Sequence, residues 1–368
     1  MAYKVIQWAT GPVGRAALHH IIGNPDLELV GVWVHSDSKV GVDAGDLVGL
    51  PKTAVCATTD KDAILGLDAD CVIYTPKLFL DPAAMDQEVS TILRSGKNVL
   101  TTAGYWYPYL HGEDYVNQLQ DACRAGGVSL FGSGENPGYF FERMAVSATG
   151  LCDTLDEVRL YEYVDCAVHP SATLVFDVVG FGKDPQELEQ GSALAAMLDR
   201  CYPETLALCA RMLEIDYDTI ERESTFRRAE RDLTIASGTV PKGGVSVQAH
   251  RWSALRDGHR VLSIINSWFV ERDVPGWDIQ DGWRIEIEGR PSLRITIENP
   301  VSLASPQLKN FPEIDANPLD VITAMATVRA IPEVVNAAPG IVYPSRPFAS
   351  YTTRYATPSL AGKAAGLG

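Results

Sequence analysis

Short apolar runs and helix-length amphipathic stretches alternate from residue 3 to residue 131, the pattern of a parallel sheet covered by helices. The runs at 4–8, 27–34, 71–74, 98–101 and 128–131 predict strands. Helical periodicity fills 14–23, 60–65, 82–95 and 114–125, and Gly126-Gly127 closes the last of these, because glycine takes the left-handed conformation that ends a helix. Beyond Gly138 the rhythm changes. A helix is expected over 139–149, a strand over 157–164 and Ala- and Leu-rich helices within 184–213. Long alternations at 232–235, 245–253, 260–270, 283–288 and 292–298, joined by Gly- and Pro-containing turns, then predict a mostly antiparallel sheet. The run 317–337 is helical again, with Asn317 as N-cap and Pro318 at the first helical position. The tail from Pro339, rich in Pro, Ser, Ala and Gly, is expected to lie over the surface.

These patterns predict an α/β chain with an N-terminal Rossmann-type parallel-sheet domain over 1–138 and an α+β domain with a mostly antiparallel sheet over 139–316. A helix and tail over 317–368 are expected to pack back on the first domain. A length of 368 residues suits two cores.

Composition removes several function classes. A net charge of −16, with no basic run longer than Arg227-Arg228, argues against a nucleic-acid partner. No stretch reaches the roughly 18 apolar residues of a membrane span, and no signal-like segment opens the chain, so a cytoplasmic protein is expected. The seven cysteines form no C-x-x-C pair and read as free thiols of a reducing compartment. No His, Cys, Asp or Glu cluster has metal-ligand spacing, so no metal site is expected.

The first strand runs into Trp8-Ala9-Thr10-Gly11-Pro12-Val13-Gly14-Arg15. Against the dinucleotide fingerprint G-x-G-x-x-G, Ala9 stands at the first glycine while Gly11 and Gly14 hold the second and third. Helix N-terminal amides there meet a pyrophosphate, and small residues let the backbone come close, which assigns Thr10, Gly11, Pro12, Val13 and Gly14 to a nicotinamide dinucleotide. The second strand ends in His35-Ser36-Asp37-Ser38-Lys39 with no carboxylate directly at its tip. His35 lies at this adenosine end, and Ser36 and Lys39 are candidates for a 2′-phosphate, so either NAD or NADP is allowed; alternatively Asp37 takes the ribose hydroxyls. Tyr74, Thr75 and Pro76, Thr102 and Ala103, and Asn136 follow later strands at the same sheet edge and are candidate cofactor contacts, although polar residues after strands are also ordinary turn chemistry.

Four side chains are candidates for proton transfer. Glu135 lies at the domain junction, where a shielded carboxylate can serve as acid or base, or can cap the following helix. His169 follows a strand of the second domain, and histidine shuttles protons near neutral pH. Tyr105 and Tyr107 flank Trp106 on one loop, either as proton donors or as a pocket wall. Trp106, Tyr139, Phe140, Phe176, Phe181, Trp268 and Trp283 suggest an apolar pocket.

The stretch from Trp8 to Arg15 resembles a known family, as do Lys39-Val40-Gly41-Val42-Asp43-Ala44-Gly45-Asp46-Leu47, Gly96 to Gly104, Gly134-Glu135-Asn136-Pro137-Gly138, Gly180-Phe181-Gly182 and Ala337-Ala338-Pro339-Gly340-Ile341. It is the dihydrodipicolinate-reductase-like group that includes 2,4-diaminopentanoate dehydrogenase and the native amine dehydrogenases. The resemblance implies NAD(P)-dependent hydride exchange at a carbon bearing nitrogen or oxygen, a small carbonyl, imine or amine substrate, and a homodimer. It also implies a glutamate after the glycine of the Thr-Thr-x-Gly loop, where this chain has Tyr105. That departure favours a ketone or aldehyde reductase without ammonia, or a carboxylate supplied from elsewhere. The rival from another class is a dinucleotide-sensing binding protein that has lost catalysis, which a panel of ketones with and without ammonia would distinguish.

Overall fold

The computed structural model describes residues 2–77, 81–304, 309–311, 314, 316–344 and the backbone of 354–355. The chain divides into two compact units, Met1–Tyr139 with Asn299–Pro344, and Phe140–Glu298 with Ser345–Gly368.

The first unit is built on a seven-stranded sheet in the order β15-β6-β5-β4-β1-β2-β3. Its strands are β1 (Tyr3–Trp8), β2 (Leu27–Trp33), β3 (Ala57–Thr58), β4 (Cys71–Tyr74), β5 (Asn98–Thr101), β6 (Ser129–Gly132) and β15 (Gly340–Val342). All pairings are parallel. The run 3-2-1-4-5-6 is the doubly wound order, with its topological switch between β1 and β4. Strands β4, β5 and β6 are buried along their whole length, and their centres read apolar on both faces because helices cover both. One face buries Val5, Val32, Ile73 and Leu100 against α1 (Pro12–Gly23), α8 (Pro318–Val328) and α9 (Ile331–Val335). The other buries Ile6, Val72, Val99 and Leu130 against α2 (Lys61–Leu65), α3 (Pro82–Arg94) and α4 (Glu113–Gly126).

Two expectations change here. The tail is not all surface, since Gly340–Val342 extends the sheet beside β6. Residues 299–316, grouped above with the second domain, lie with the first unit because Ile314 and Ala316 are buried in its core and Phe311 packs against them. Helix α8 starts as expected, with Asn317 and Asp320 forming a reciprocal capping box. The tail beyond Pro344 lies outside the described residues, apart from the short β16 (Arg354–Tyr355).

The second unit holds a sheet in the order β14-β13-β7-β12-β11-β8, with β16 beside the start of β7. Its strands are β7 (Thr154–Asp165), β8 (Thr219–Arg228), β11 (Val245–Arg256), β12 (His259–Phe269), β13 (Gly282–Arg290) and β14 (Leu293–Ile297). Along that order only β7 and β12 pair in parallel. A small separate hairpin joins β9 (Leu233–Ile235) to β10 (Gly238–Val240). The short α5 (Val146–Ala148) and α6 (Pro185–Glu189) accompany the long α7 (Ala193–Leu213), capped by Ser192 and packed on β11 and β12. The helix expected over 139–149 is instead a π-helical turn, Phe140–Ala145, running into α5 and a last 3-10 turn.

Candidate functional site

At the end of β1 the chain turns into α1 through Ala9, Thr10 and Gly11, and Gly11 is the N-cap of α1 with Pro12 behind it. No side chain caps this helix and its first turn holds no acid. The first amides of α1, which a helix leaves without intrahelical partners, therefore open at the carboxyl edge of the sheet beside the switch point. Gly11 and Pro12 are exposed, and a Cβ built on Gly11 meets nothing within 4 Å. Gly14 is the opposite case. A Cβ there would lie 2.3 Å from the Ala9 carbonyl oxygen and 2.7 Å from Thr75 Oγ1, so glycine is what lets α1 cross the strand end so closely. Val13 is half-buried and packs on the core.

Beneath the turn lies a buried polar brace. Gln7 Nε2 donates to the Ala9 carbonyl at 2.8 Å and to Thr75 Oγ1 at 2.9 Å, and Thr75 Oγ1 donates to the Trp8 carbonyl at 3.0 Å. Ala9 itself has φ 71°, the left-handed region that the fingerprint's first glycine would adopt without strain. Lys39 closes the far side, its Nζ donating to the Thr10 carbonyl at 3.0 Å and to Thr10 Oγ1 at 2.9 Å. Burial, with the charge of Arg15 nearby, lowers the Lys39 pKa from its ordinary value. Two cations thus flank a turn suited to phosphate.

At the tip of β2, His35 lies edge-on to Trp33 at 4.3 Å between ring centroids, and the exposed Ser36 and Ser38 hydroxyls share a 2.8 Å hydrogen bond. Lys39 therefore touches both the glycine turn and this loop, whose Asp37–Lys39 form a single 3-10 turn.

The remaining sequence candidates divide sharply. Tyr74 is fully buried and donates from its hydroxyl to Glu88 at 2.6 Å, so its side chain belongs to the core and only its backbone reaches the sheet edge. Thr75 is a brace for the turn. Pro76, Thr102 and Ala103 are half-buried at the strand ends, with Thr102 N donating to the Tyr74 carbonyl and Ala103 N to Thr101 Oγ1. Asn136, also half-buried, lies in the tight Gly134–Gly138 segment after β6.

Tyr105, expected either as a proton donor or as part of a pocket wall, is enclosed by its own unit. It is 2% exposed, and its hydroxyl donates to Asp86 Oδ1 at 2.6 Å, beside a second donor, Tyr115, at 2.9 Å. Burial and the Asp86 carboxylate push its pKa far above that of a free phenol. With φ 63° the residue turns inward, into the cluster of Ile6, Trp8 and Tyr74. Tyr107 is half-buried in an aromatic group with Tyr109 at 5.3 Å and Tyr343 at 5.8 Å, which fits a wall. Glu135 is half-buried and accepts from Thr323 Oγ1 on α8. His169, in the second unit, is half-buried and accepts from Ser171 N at its Nδ1, at 3.1 Å.

Sequence reasoning missed a polar row inside the second sheet. Ser224 on β8, His250 on β11, Asn266 on β12, Glu162 on β7 and Trp283 on β13 are successive register partners. Tyr202 of α7 accepts from Asn266 Nδ2 at 2.8 Å and donates to Glu162 Oε2 at 3.4 Å. The signal was available on two strands, where Glu162 interrupts the apolar phase of Val158, Leu160 and Val164 on β7, and Asn266 that of Leu262, Ile264 and Trp268 on β12.

The comparisons agree with this architecture. Residues 139–345 match the family model of the 2,4-diaminopentanoate dehydrogenase C-terminal domain. An amine dehydrogenase of Streptomyces virginiae is 30% identical over 309 residues, covering 80% of this chain and 84% of that protein. The 2,4-diaminopentanoate dehydrogenase of Acetoanaerobium sticklandii is 21% identical over 355 residues, covering 92% of this chain and 91% of its own length. The solved amine dehydrogenase of Mycobacterium smegmatis superposes with a TM-score of 0.70 at 19% identity, covering 96% of this chain and 99% of that one. Its likeness carries the fold, and the 30% identical relative carries the kinship: the chain belongs to the family of oxidoreductases formed by the amine dehydrogenases and 2,4-diaminopentanoate dehydrogenase.

Proposed function

We propose that the chain exchanges hydride between a nicotinamide dinucleotide and the carbon of a small amine or its imine, interconverting the amine with a carbonyl compound and ammonia. The observation that carries this reading is the open N-terminus of α1 at the β1/β4 switch, with Gly11 unobstructed and Gly14 permitting close approach. When bound, the dinucleotide supplies hydride acceptance or donation at its nicotinamide ring. The chain's part is to hold it. The amides of Val13 and Gly14 and the cations of Lys39 and Arg15 would hold its phosphates, and the half-buried strand ends at Pro76, Thr102 and Ala103 would flank its nicotinamide side. Ser36, Ser38 and Lys39, with no carboxylate at the tip of β2, suit a 2′-phosphate, so NADP is accepted as well as NAD.

Proton handling is assigned to Glu135 and His169. Thr323 orients the Glu135 carboxylate. The Nδ1 of His169 accepts from Ser171 N, which leaves Nε2 as its proton-exchanging atom in this reading. A phenol locked to Asp86 gives no support to a ketone reductase that works through Tyr105.

The homodimer expected from the resemblance belongs to the same reading. Seven free cysteines fit a cytoplasmic home, and no helix among the described residues is long and apolar enough to cross a membrane.

The test is NAD(P)H oxidation with a panel of small ketones and aldehydes, with and without ammonia, alongside light scattering for the dimer. Turnover that requires ammonia is expected. Dinucleotide binding without turnover on any of the panel, or in the reverse direction with amines, would overturn the catalytic reading in favour of a sensor.

A further inference from the structure

The two atoms against which Gly14 rests are the two atoms that Gln7 holds. A Cβ on Gly14 would lie nearest the Ala9 carbonyl oxygen, at 2.3 Å, and Thr75 Oγ1, at 2.7 Å. Gln7 Nε2 donates to the same pair, at 2.8 and 2.9 Å, which uses both hydrogens of its amide. Thr75 Oγ1 in turn gives its own hydrogen to the Trp8 carbonyl at 3.0 Å, with the Ala9 carbonyl at 3.2 Å. The first turn of α1 therefore sits on a seat built by one residue of β1 and one that follows β4.

An apolar side chain would be the ordinary occupant of position 7, since Val5, Ile6 and Trp8 on the same strand are buried and apolar. Gln7 is fully buried, and its Oε1 has no hydrogen-bond partner, which is unfavourable. Turning the amide over gives no relief, because the Ala9 carbonyl can only accept and must face the nitrogen. Ala9 carries a second local cost, a φ of 71° that a Cβ disfavours. The two costs meet in one hydrogen bond. Strain of this kind persists only where the surroundings over-determine it. Rotating Ala9 to the ordinary side of φ would swing its carbonyl off Gln7 Nε2 and leave a core N–H unpaired, so the bond keeps an alanine in the conformation of the fingerprint's first glycine.

We propose that Gln7 is a positioning residue for the dinucleotide: it holds Ala9 left-handed and, through the Ala9 carbonyl and Thr75, sets where the first amides of α1 stand at the sheet edge. Thr75 is its partner in that role. The proposal rests on the dinucleotide reading above. It also separates Gln7 from a residue that merely stabilises β1, because its effect on the cofactor depends on which residue stands at position 9. Glycine takes the left-handed conformation unaided, so a glycine there makes the brace dispensable for binding.

Four full-length proteins close a cycle: the wild type, Gln7→Met, Ala9→Gly and the double variant. NADH and NADPH affinities are read by fluorescence titration and stability by thermal unfolding. Methionine is close to glutamine in length and carries no donor. Gln7→Met is expected to weaken both dinucleotides about tenfold or more, the scale of a lost buried hydrogen bond. Ala9→Gly should bind within about threefold of the wild type, and the double variant within about threefold of Ala9→Gly, since glycine no longer needs the brace. The unfolding temperature of the double variant should stay as depressed as that of Gln7→Met, which separates rescue of binding from rescue of the fold. Thr75→Val keeps the shape and removes the hydroxyl. It should repeat the loss and its rescue by Ala9→Gly, so the test holds if Gln7→Met does not fold. Wild-type affinity in the folded single variants, or a loss of equal size with alanine and with glycine at position 9, overturns the positioning role. A wild type that binds neither dinucleotide strikes the dinucleotide reading itself and this role with it, a result distinct from the other two.

Discussion

Replacing Gly14 by alanine separates what the glycine turn does for the fold from what it does for the cofactor. The new Cβ would lie 2.3 Å from the Ala9 carbonyl oxygen, more than 1 Å inside ordinary contact, and 2.7 Å from Thr75 Oγ1. The nearer atom is backbone, held in turn by Gln7 Nε2 at 2.8 Å, so it cannot step aside unless α1 lifts from the sheet. Overpacking of this kind costs about 1–3 kcal/mol, and the gain of about 1 kcal/mol from alanine's helix propensity offsets only part of it. A net loss of up to about 2 kcal/mol lowers the unfolding temperature by up to roughly 8 °C in a domain of this size. Gly11→Ala is the matched control, because its φ of −69° suits alanine and its Cβ meets nothing. It should leave the unfolding temperature within about 2 °C. On the proposed reading its methyl projects toward the bound pyrophosphate, so NAD(P)H affinity should fall about tenfold or more. Differential scanning fluorimetry and NAD(P)H fluorescence titration on both variants read the two effects. Wild-type stability in Gly14→Ala together with wild-type affinity in Gly11→Ala would refute the account of the turn.

Three further outcomes are expected. Lys39→Glu should weaken NADPH more than NADH, by about tenfold in the ratio of dissociation constants, since it places a like charge beside a 2′-phosphate; equal effects on both would remove Lys39 from that role. Tyr105→Phe should cost about 1–2 kcal/mol in denaturant unfolding, because Asp86 loses one of two phenol donors, while kcat stays within about threefold. A collapse of kcat in that folded variant would restore Tyr105 as proton donor. His250 is 1% exposed, and burial, followed by the charge of Arg222, brings its pKa down from 6.5 to about 4. The folded state thus disfavours the proton, and the stability from neutral His250 is present above pH 6.5 and lost as pH falls toward 4. The loss amounts to about 3 kcal/mol at 1.36 kcal/mol per pH unit. His250→Gln should flatten that part of the curve, and an unchanged slope would show another group responsible.

Much of the first unit was legible because its strands are fully buried and its helices carry ordinary end signals. Residues 71–74 and 98–101 were read with the bounds observed for β4 and β5, and Asn317-Pro318 marked the start of α8. The edge elements were not legible. β3 is two residues long, β15 is three, and β8, with its largely exposed Glu, Arg and Thr residues, has no apolar phase to read. The site shows the same division. Gly11 and Gly14 announce a turn locally, whereas whether Tyr74 and Tyr105 point outward or inward is decided by Glu88 and Asp86 on α3, partners that spacing along the chain does not reveal. The oxidoreductase class followed from the motif and the family resemblance. The ammonia-free alternative drew on Tyr105, whose hydroxyl is bonded to Asp86 inside the first unit.

The first unit is assembled from two stretches of chain separated by Phe140–Glu298, the larger part of the second. Its core takes Ala324, Val328, Ile331 and Val334 from after that insertion, and β15 seals the β6 edge of the sheet. During synthesis the nucleotide fold therefore waits: when residue 139 leaves the ribosome, α1 lacks its partner α8 and β6 is a bare edge, open to pairing with another chain. Gene fragments cut after the glycine-rich half should consequently yield an aggregation-prone piece rather than a free-standing dinucleotide module, and domain grafts in this family must carry both ends of the chain.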